Sequence, residues 1–218
     1  AIGIMLGNGW YRGIIGFANN INYYGKDIAL LCQINIKYTD GSTATIVSDA
    51  SWKTSTGAIR YSEIYNGETI DARQEKTGWT LPGYNDDSWV AAKAANFTKV
   101  SLVATVNELV KKQETFSPVK IFTTPAGEKV IDFGQNLVGW VILKARGKAG
   151  DKITLSHAEV LDKKGNFYNL QFQTGGYYRN NDVEDFIVQG GVAYFSKLWQ
   201  FNRYKVRNYI SSTYTQLI

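Results

Sequence analysis

The sequence predicts an all-β protein built from two antiparallel, jelly-roll-like β-sandwich domains, the first of them incomplete. Three observations carry this. Helical periodicity is nearly absent over 218 residues. Several short runs alternate apolar and polar residues with period two, as half-buried strands do. Runs of Gly, Asn and Asp punctuate them at turn spacing.

Taken in order, Ala1–Leu6 reads as an opening strand with no preceding partner. Gly7-Asn8-Gly9 follows it, with Trp10 and Tyr11 where a phosphate loop would need other residues and with no helix expected after it. From Ile28 to Tyr38 the residues Ile28, Leu30, Cys32, Ile34, Ile36 and Tyr38 share one face. Thr39-Asp40-Gly41-Ser42 is a turn and residues 43–47 return, which predicts a hairpin. Residues 81–95 read as loop, and residues 101–112 are the one passable helix candidate, equally a strand with a loop. A domain boundary falls between about Ala94 and Pro118, giving domains 1–115 and 116–218. In the second, VIDFGQNLVGWVILKA places Asp132, Gln135 and Asn136 between two apolar strands and reads as a structural corner, with Gly134 and Gly139 supplying backbone freedom. Residues 152–161 and 167–168 bracket the turn Asp162-Lys163-Lys164-Gly165, a second hairpin; residues 185–188 and 193–198 flank Gln189-Gly190-Gly191, a third; residues 203–210 form a closing strand.

Composition removes several functions. The net charge of +5 is scattered, without a basic run interleaved with aromatics, so no nucleic-acid partner is expected. No apolar run reaches membrane-spanning length, so no membrane partner is expected either. One cysteine, Cys32, forms no internal disulfide and reads as a buried small hydrophobe, which leaves the compartment open between periplasm, secretion and cytoplasm. A Ser-His-Asp or Cys-His centre needs a histidine, and the single one, His157, sits mid-strand as a structural residue. One His and one Cys do not make a zinc site.

Glycosidase chemistry needs two carboxyl groups facing each other across a bond. Glu63, Glu68, Asp71, Glu159 and Asp162 are available, and spacing pairs none of them. Asp71 and Arg73 lie on the same side of an extended segment and read as a structural ion pair. Trp and Tyr are plentiful within an aromatic fraction of 14% and suit both sheet faces and sugar stacking.

Two sets of motifs then resemble a known family. Leu6-Gly7-Asn8-Gly9-Trp10-Tyr11-Arg12-Gly13, Ser48-Asp49-Ala50-Ser51-Trp52-Lys53, Ile64-Tyr65-Asn66-Gly67-Glu68 with Asp71-Ala72-Arg73, Gly78-Trp79 and Asp87-Ser88-Trp89 form the first. Val130-Ile131-Asp132-Phe133-Gly134-Gln135-Asn136-Leu137-Val138-Gly139-Trp140, Leu155-Ser156-His157-Ala158-Glu159-Val160-Leu161 and Gly165-Asn166-Phe167-Tyr168 form the second. Together they resemble the N-terminal domain and the concanavalin-like β-sandwich of bacterial α-L-rhamnosidases, glycoside hydrolase family 78. Residues 171–185 follow the family's pattern loosely, and Phe201-Asn202 stand where it has Gly-Phe before Arg203-Tyr204.

The resemblance implies an accessory region of an enzyme that releases terminal α-L-rhamnose with inversion. Its acid and base would lie in an (α/α)6 barrel following this region, so the chain, ending at Ile218, is expected to lack catalytic residues and to be inactive alone. Rhamnose-containing glycans or glycosides and that barrel are the implied partners. Substrate contacts would fall on Asn8, Trp10, Tyr11, Glu68, Asp71 and Arg73. In some members a calcium ion helps to grip the sugar, which maps to Asn8 as the metal residue. The alternative is a non-catalytic carbohydrate-binding module with Trp10, Tyr11, Tyr23 and Tyr24 as stacking faces, and a third reading is a spacer without sugar affinity.

Overall fold

The computed structural model describes residues 1–15, 20–63, 67–100, 102–106, 108, 111–137, 139–158, 160–168, 183–187, 191–196 and 206–212. Its strands are β1 (Gln33–Lys37), β2 (Thr43–Val47), β3 (Lys53–Thr54), β4 (Ile59–Glu63), β5 (Gly67–Asp71), β6 (Val90–Ala91), β7 (Lys120–Thr123), β8 (Lys129–Leu137), β9 (Ile142–Gly147), β10 (Lys152–Ala158), β11 (Val160–Leu161), β12 (Phe167–Tyr168), β13 (Val183–Ile187), β14 (Gly191–Ser196) and β15 (Val206–Ser212). One turn of helix, α1 (Gly9–Arg12), and a 3-10 turn over Ala72–Gln74 complete the elements among the described residues. The fold is all-β, as the alternation predicts. The chain divides into two compact units, each made of several segments.

The first unit comprises Ala1–Leu6, Ala29–Ser55 and Gly78–Thr115. Its β1 and β2 form the expected hairpin, Lys37 opposite Thr43. Gly41 takes a φ of +87° in the turn, which a side chain would resist, and the Asp40 carboxylate accepts the Ser42 N–H at 2.9 Å. On β1 the even-numbered residues are the half-buried ones. Cys32 is half-buried and free. The pair β3–β6 is pinned by Lys53 on Asp86 at 2.6 Å. Trp89 stands against both Trp79 (6.2 Å between centroids) and Tyr84 (5.9 Å). Gly3 lies so close to the Trp79 ring that a Cβ there would overlap it. Residues 1–6 form no strand, which corrects the expected opening strand, and residues 102–106 form no helix. In both, the apolar side chains are exposed, so burial adds little to hold a regular element, and isolated short helices are marginal.

The second unit comprises Gly7–Ile28, Thr56–Thr77 and Phe116–Ile218. It contains a seven-stranded sheet in the order β4-β5-β13-β10-β15-β8-β7 and the two-stranded sheet β14-β9. Every pair is antiparallel except β13 on β5, which is parallel. Leu143 and Ala145 of β9 join Ile131, Ile153, Leu155, Ile70 and Ala58 in one buried cluster, so the small sheet packs face to face on the large one. That is a β-sandwich.

Two sequence expectations change here. The third hairpin is not formed: β13 joins β10 and β5, whereas β14 pairs with β9 in the other layer. Local alternation marks strands, and their partners are set by which face must reach the core. DFGQN is not a corner but part of the nine-residue strand β8. The ladder with β15 is irregular there, stepping from Tyr209 opposite Asp132 to Arg207 opposite Asn136. This is a bulge. Gly134 adopts φ +74° and donates its N–H to the Asp132 carboxylate at 2.7 Å.

The hairpin β11–β12 forms as expected, Leu161 opposite Phe167. The Glu128 carboxylate ties its end to the β7–β8 turn, accepting from Thr124 Oγ1 at 2.8 Å and from the Phe167 N–H at 3.0 Å. Residues 64–66, Glu159, residues 169–182, Gln189-Gly190 and Arg203-Tyr204 lie outside the described residues, as does the Asn136 side chain.

Candidate functional site

The segment from Gly7 onward enters α1, an arrangement the sequence reading did not expect. The Asn8 carbonyl accepts the Arg12 N–H at 3.2 Å and the Gly9 carbonyl the Gly13 N–H at 3.1 Å. Gly9 opens the turn with φ +50°. The chain then folds back on itself. The Ile15 N–H reaches the Asn20 carbonyl (2.9 Å), the Asn22 N–H the Arg12 carbonyl (2.9 Å) and the Tyr24 N–H the Tyr11 carbonyl (3.2 Å). Gly25 passes against the Tyr11 hydroxyl, where any Cβ would collide.

This loop is fastened to β4 by Glu63. The Asn8 Nδ2 donates to Glu63 Oε1 at 3.1 Å, and the Ile14 N–H donates to Oε2 at 3.0 Å. Glu63 is only 7% exposed although it lies on the side of the strand away from the main core. Asn8 occupies the position that ordinarily caps a helix, yet its side chain caps nothing; its amide is spent on Glu63. Trp10 and Tyr11 are 37% and 42% exposed, and Tyr23 and Tyr24 more so, edge to face at 5.0 Å.

The structure brings Asn8, Trp10 and Tyr11 into one loop. It separates the other three candidates from them. Glu63 faces Gly67 across the β4–β5 pair, so alternation turns Glu68 to the opposite face. There Glu68, 1% exposed, shares the core side with Ile70. Asp71 is four residues beyond Gly67, about 13 Å along the strand. Arg73 Nε and Nη2 reach its two oxygens, each at 2.8 Å. That pairing holds the Asp71 carboxyl below its ordinary value, the Arg73 hydrogen bond being the main cause. The reading of an Asp71–Arg73 ion pair matches this geometry. His157 is buried within β10 beside the cluster.

Glu63 stands in the sequence as one acidic residue among several. Nothing in its spacing links it to Asn8, 55 residues away, and the one available signal is the side-chain-free Gly13, whose Cβ would overlap Glu63 Oε2.

A calcium ion takes about six to eight oxygen ligands. Both Glu63 oxygens already accept N–H groups, and Asn8 adds one oxygen. Among the described residues no three His, Cys, Asp or Glu are placed to hold a metal. Among the described residues the donor set at Asn8 and Glu63 does not fit the ion. No helix among the described residues is long and apolar enough to cross a membrane.

Comparisons with known proteins bear on the whole chain. Residues 1–114 match the family model of the α-L-rhamnosidase N-terminal domain, and residues 122–209 that of the bacterial α-L-rhamnosidase concanavalin-like domain. An α-L-rhamnosidase of Streptomyces avermitilis is 36% identical over 175 residues, covering 80% of this chain and 17% of its own length. One from Alteromonas sp. (strain LOR) is 30% identical over 208 residues, 94% of this chain and 22% of its own. The chain thus spans about a fifth of the length of these relatives. The crystal structure of the native α-L-rhamnosidase from Aspergillus terreus superposes with a TM-score of 0.85 at 32% identity, over 95% of this chain and 23% of that one. The Streptomyces avermitilis α-L-rhamnosidase complexed with L-rhamnose does so with a TM-score of 0.83 at 32% identity, over 94% and 19%. The chain belongs to the bacterial α-L-rhamnosidase family, and its two matched regions are that family's N-terminal domain and concanavalin-like β-sandwich.

Proposed function

We propose that this chain serves as an accessory β-sandwich region in the hydrolysis of α-L-rhamnosides and carries no catalytic carboxyl pair of its own. The observation that supports this most directly is the commitment of its acidic residues. Glu63 anchors a loop, Glu68 is enclosed in the core and Asp71 is paired to Arg73. An inverting glycosidase needs one carboxylic acid at the leaving oxygen and one carboxylate on a water across the bond; here Glu68 lies on the opposite face of the sheet from Glu63, and Asp71 lies about 13 Å along the strand from the Gly67 that Glu63 faces. The matched regions and the share of the relatives' length agree with an acid and base lying in another part of a longer enzyme. On this reading the organisation is two family domains, 1–115 and 116–218, acting with an (α/α)6 barrel on rhamnose-containing glycans. The test is hydrolysis of p-nitrophenyl-α-L-rhamnoside by the purified 218-residue chain. Release of nitrophenol at the blank rate is expected; enzyme-dependent release that survives repurification would overturn the reading.

A second reading, a sugar-binding module, is favoured by one feature: the half-exposed rings of Trp10 and Tyr11 beside Asn8 in a fastened loop. Rings of this kind stack on sugar faces, and amide groups read hydroxyls. The two readings are compatible, since an accessory domain can hold the glycan whose terminal residue is cut elsewhere. Titration with L-rhamnose, followed by protein NMR shifts, tests it.

A further inference from the structure

We propose that Asn8-Gly9 is a deamidation site that the fold holds closed through Glu63, and that a converted site no longer lets the loop refasten. The modification is spontaneous and independent of any ligand.

The chemistry is a ring closure. The Gly9 backbone nitrogen loses its proton to solvent base and attacks Asn8 Cγ. The Cγ–Nδ2 bond breaks, and ammonia leaves with a proton from solvent. Water then opens the succinimide ring at one carbonyl or the other, giving aspartate or isoaspartate. In sum, one amide and one water become one carboxylic acid and one ammonia. A glycine after the asparagine favours closure, because no side chain crowds the attacking nitrogen. The sequence has two such pairs, Asn8-Gly9 and Asn66-Gly67.

At Asn8 the reacting groups are neighbours, but the geometry opposes closure. Asn8 is half-buried, with φ −62° and ψ −39°, a helical setting. The ring needs Cβ, Cα, the carbonyl carbon and the Gly9 nitrogen near one plane, so ψ must leave that setting. Turning it swings the Asn8 carbonyl off the Arg12 N–H that it accepts at 3.2 Å. The leaving nitrogen is held too, since Nδ2 donates to Glu63 Oε1 at 3.1 Å. The carboxylate is fixed in turn by the Ile14 N–H on Oε2 at 3.0 Å. It is 7% exposed, so water competes little for these bonds. Gly9 is the first residue of α1, and the first N–H groups of a helix have no partner within it. The restraint therefore falls on Asn8 and not on the attacking nitrogen.

The product cannot rebuild the anchor. An ionised aspartate at position 8 carries acceptors only. Glu63 then loses its donor at Oε1 and gains a like charge beside it. Isoaspartate also lengthens the backbone just before α1. Each opening of the loop that lasts long enough for closure is thus made permanent.

The test uses the 218-residue chain in mildly alkaline buffer, with peptide mass mapping of both Asn-Gly pairs. In urea the two pairs should convert at similar rates. In native buffer Asn8 should convert at least about tenfold more slowly than in urea, as the loss of a hydrogen bond to a charged group implies. Glu63→Gln replaces that bond by a weaker neutral one and should speed conversion at least about fivefold. Ile153→Val, which loosens the sandwich interior instead, should leave the Asn8 rate close to wild type. The converted protein should show faster hydrogen exchange at the Ile14 amide than the unconverted one. Conversion of Asn8 as fast in native buffer as in urea overturns the inference, and this comparison needs no variant. Equal rates in wild type and E63Q overturn the role of Glu63. Equal acceleration by I153V makes global unfolding the route and overturns it as well. A converted protein with an unchanged Ile14 amide overturns the claim that the loop cannot refasten.

Discussion

Arg73 closes a two-pronged ion pair on Asp71, Nε to Oδ1 and Nη2 to Oδ2, and its own N–H returns to Oδ1 at 3.1 Å. The one carboxylate therefore caps the 3-10 turn over Ala72–Gln74 and neutralises a guanidinium at the end of β5. Its pKa in the folded chain lies below the ordinary carboxyl value of 3.8. A lowered folded pKa means that the unfolded chain binds the proton first on acidification. The stability from this pair is thus complete above about 3.8 and is lost as pH falls through the lower folded value. Asp71→Asn should lower the melting temperature at pH 7 and flatten its fall between neutral pH and pH about 3. Melting curves for both proteins across that range decide it, and parallel acid limbs would rule the pair out as a contributor.

That pair is legible from sequence because its partners sit two residues apart, although Arg73 lies in the 3-10 turn that follows β5 and not on the extended segment expected. The β1–β2 hairpin is legible for a similar reason, since period-two alternation and an Asp-Gly turn are both local. Longer connections are not. Glu63 and Asn8 are brought together by tertiary folding alone. Strand β13 resembles the first arm of a hairpin until β10 and β5 claim its two edges. The aromatic loop can be seen as sugar-compatible, but its fastening to β4 cannot, because no periodicity encodes a side chain that crosses between elements.

The buried cluster implies a steep contrast between two aliphatic residues. Ile153 is 0% exposed in the middle of the sandwich, whereas Val106 is 94% exposed. Truncating Ile153 to Ala leaves a cavity in the cluster it shares with Leu155, Ile131 and Leu143 and should cost about 2–5 kcal/mol. Val106→Ala should stay within about 0.5 kcal/mol. Urea unfolding of each variant measures both. Comparable losses would mean that the sandwich interior is not where the second unit's stability resides.

Two glycines of the Asn8 loop should behave in opposite ways. A Cβ on Gly13 would overlap both Glu63 Oε2 and the backbone oxygen of Gly9, so G13A should destabilise by about 1–3 kcal/mol through forced displacement of the anchor. Gly7 has nothing within 4 Å of the same position, and G7A should be close to neutral. Unfolding midpoints compare them directly. Since the loop opens with the loss of the Glu63 bonds, hydrogen exchange at the Ile14 amide should quicken in G13A and not in G7A; equal protection in both would contradict the anchoring role.

The bulge in β8 gives a last contrast, between Gly134 and its neighbour in chemistry, Asp132. Gly134 has φ +74°, and a Cβ there would come to 3.1 Å from Val119 Cγ2. Left-handed backbone costs a residue with a side chain about 1–2 kcal/mol, and the tight approach to Val119 adds to it, so G134A should lose at least that much stability. Asp132→Asn keeps an oxygen able to accept the Gly134 N–H, which the carboxylate takes at 2.7 Å. It should be milder than Asp132→Ala, which leaves that donor without its acceptor. The expected order of unfolding midpoints is wild type, D132N, D132A, G134A. An Asp132→Ala variant as stable as wild type would show that the strand needs only the glycine to bulge, with the carboxylate incidental to the bend.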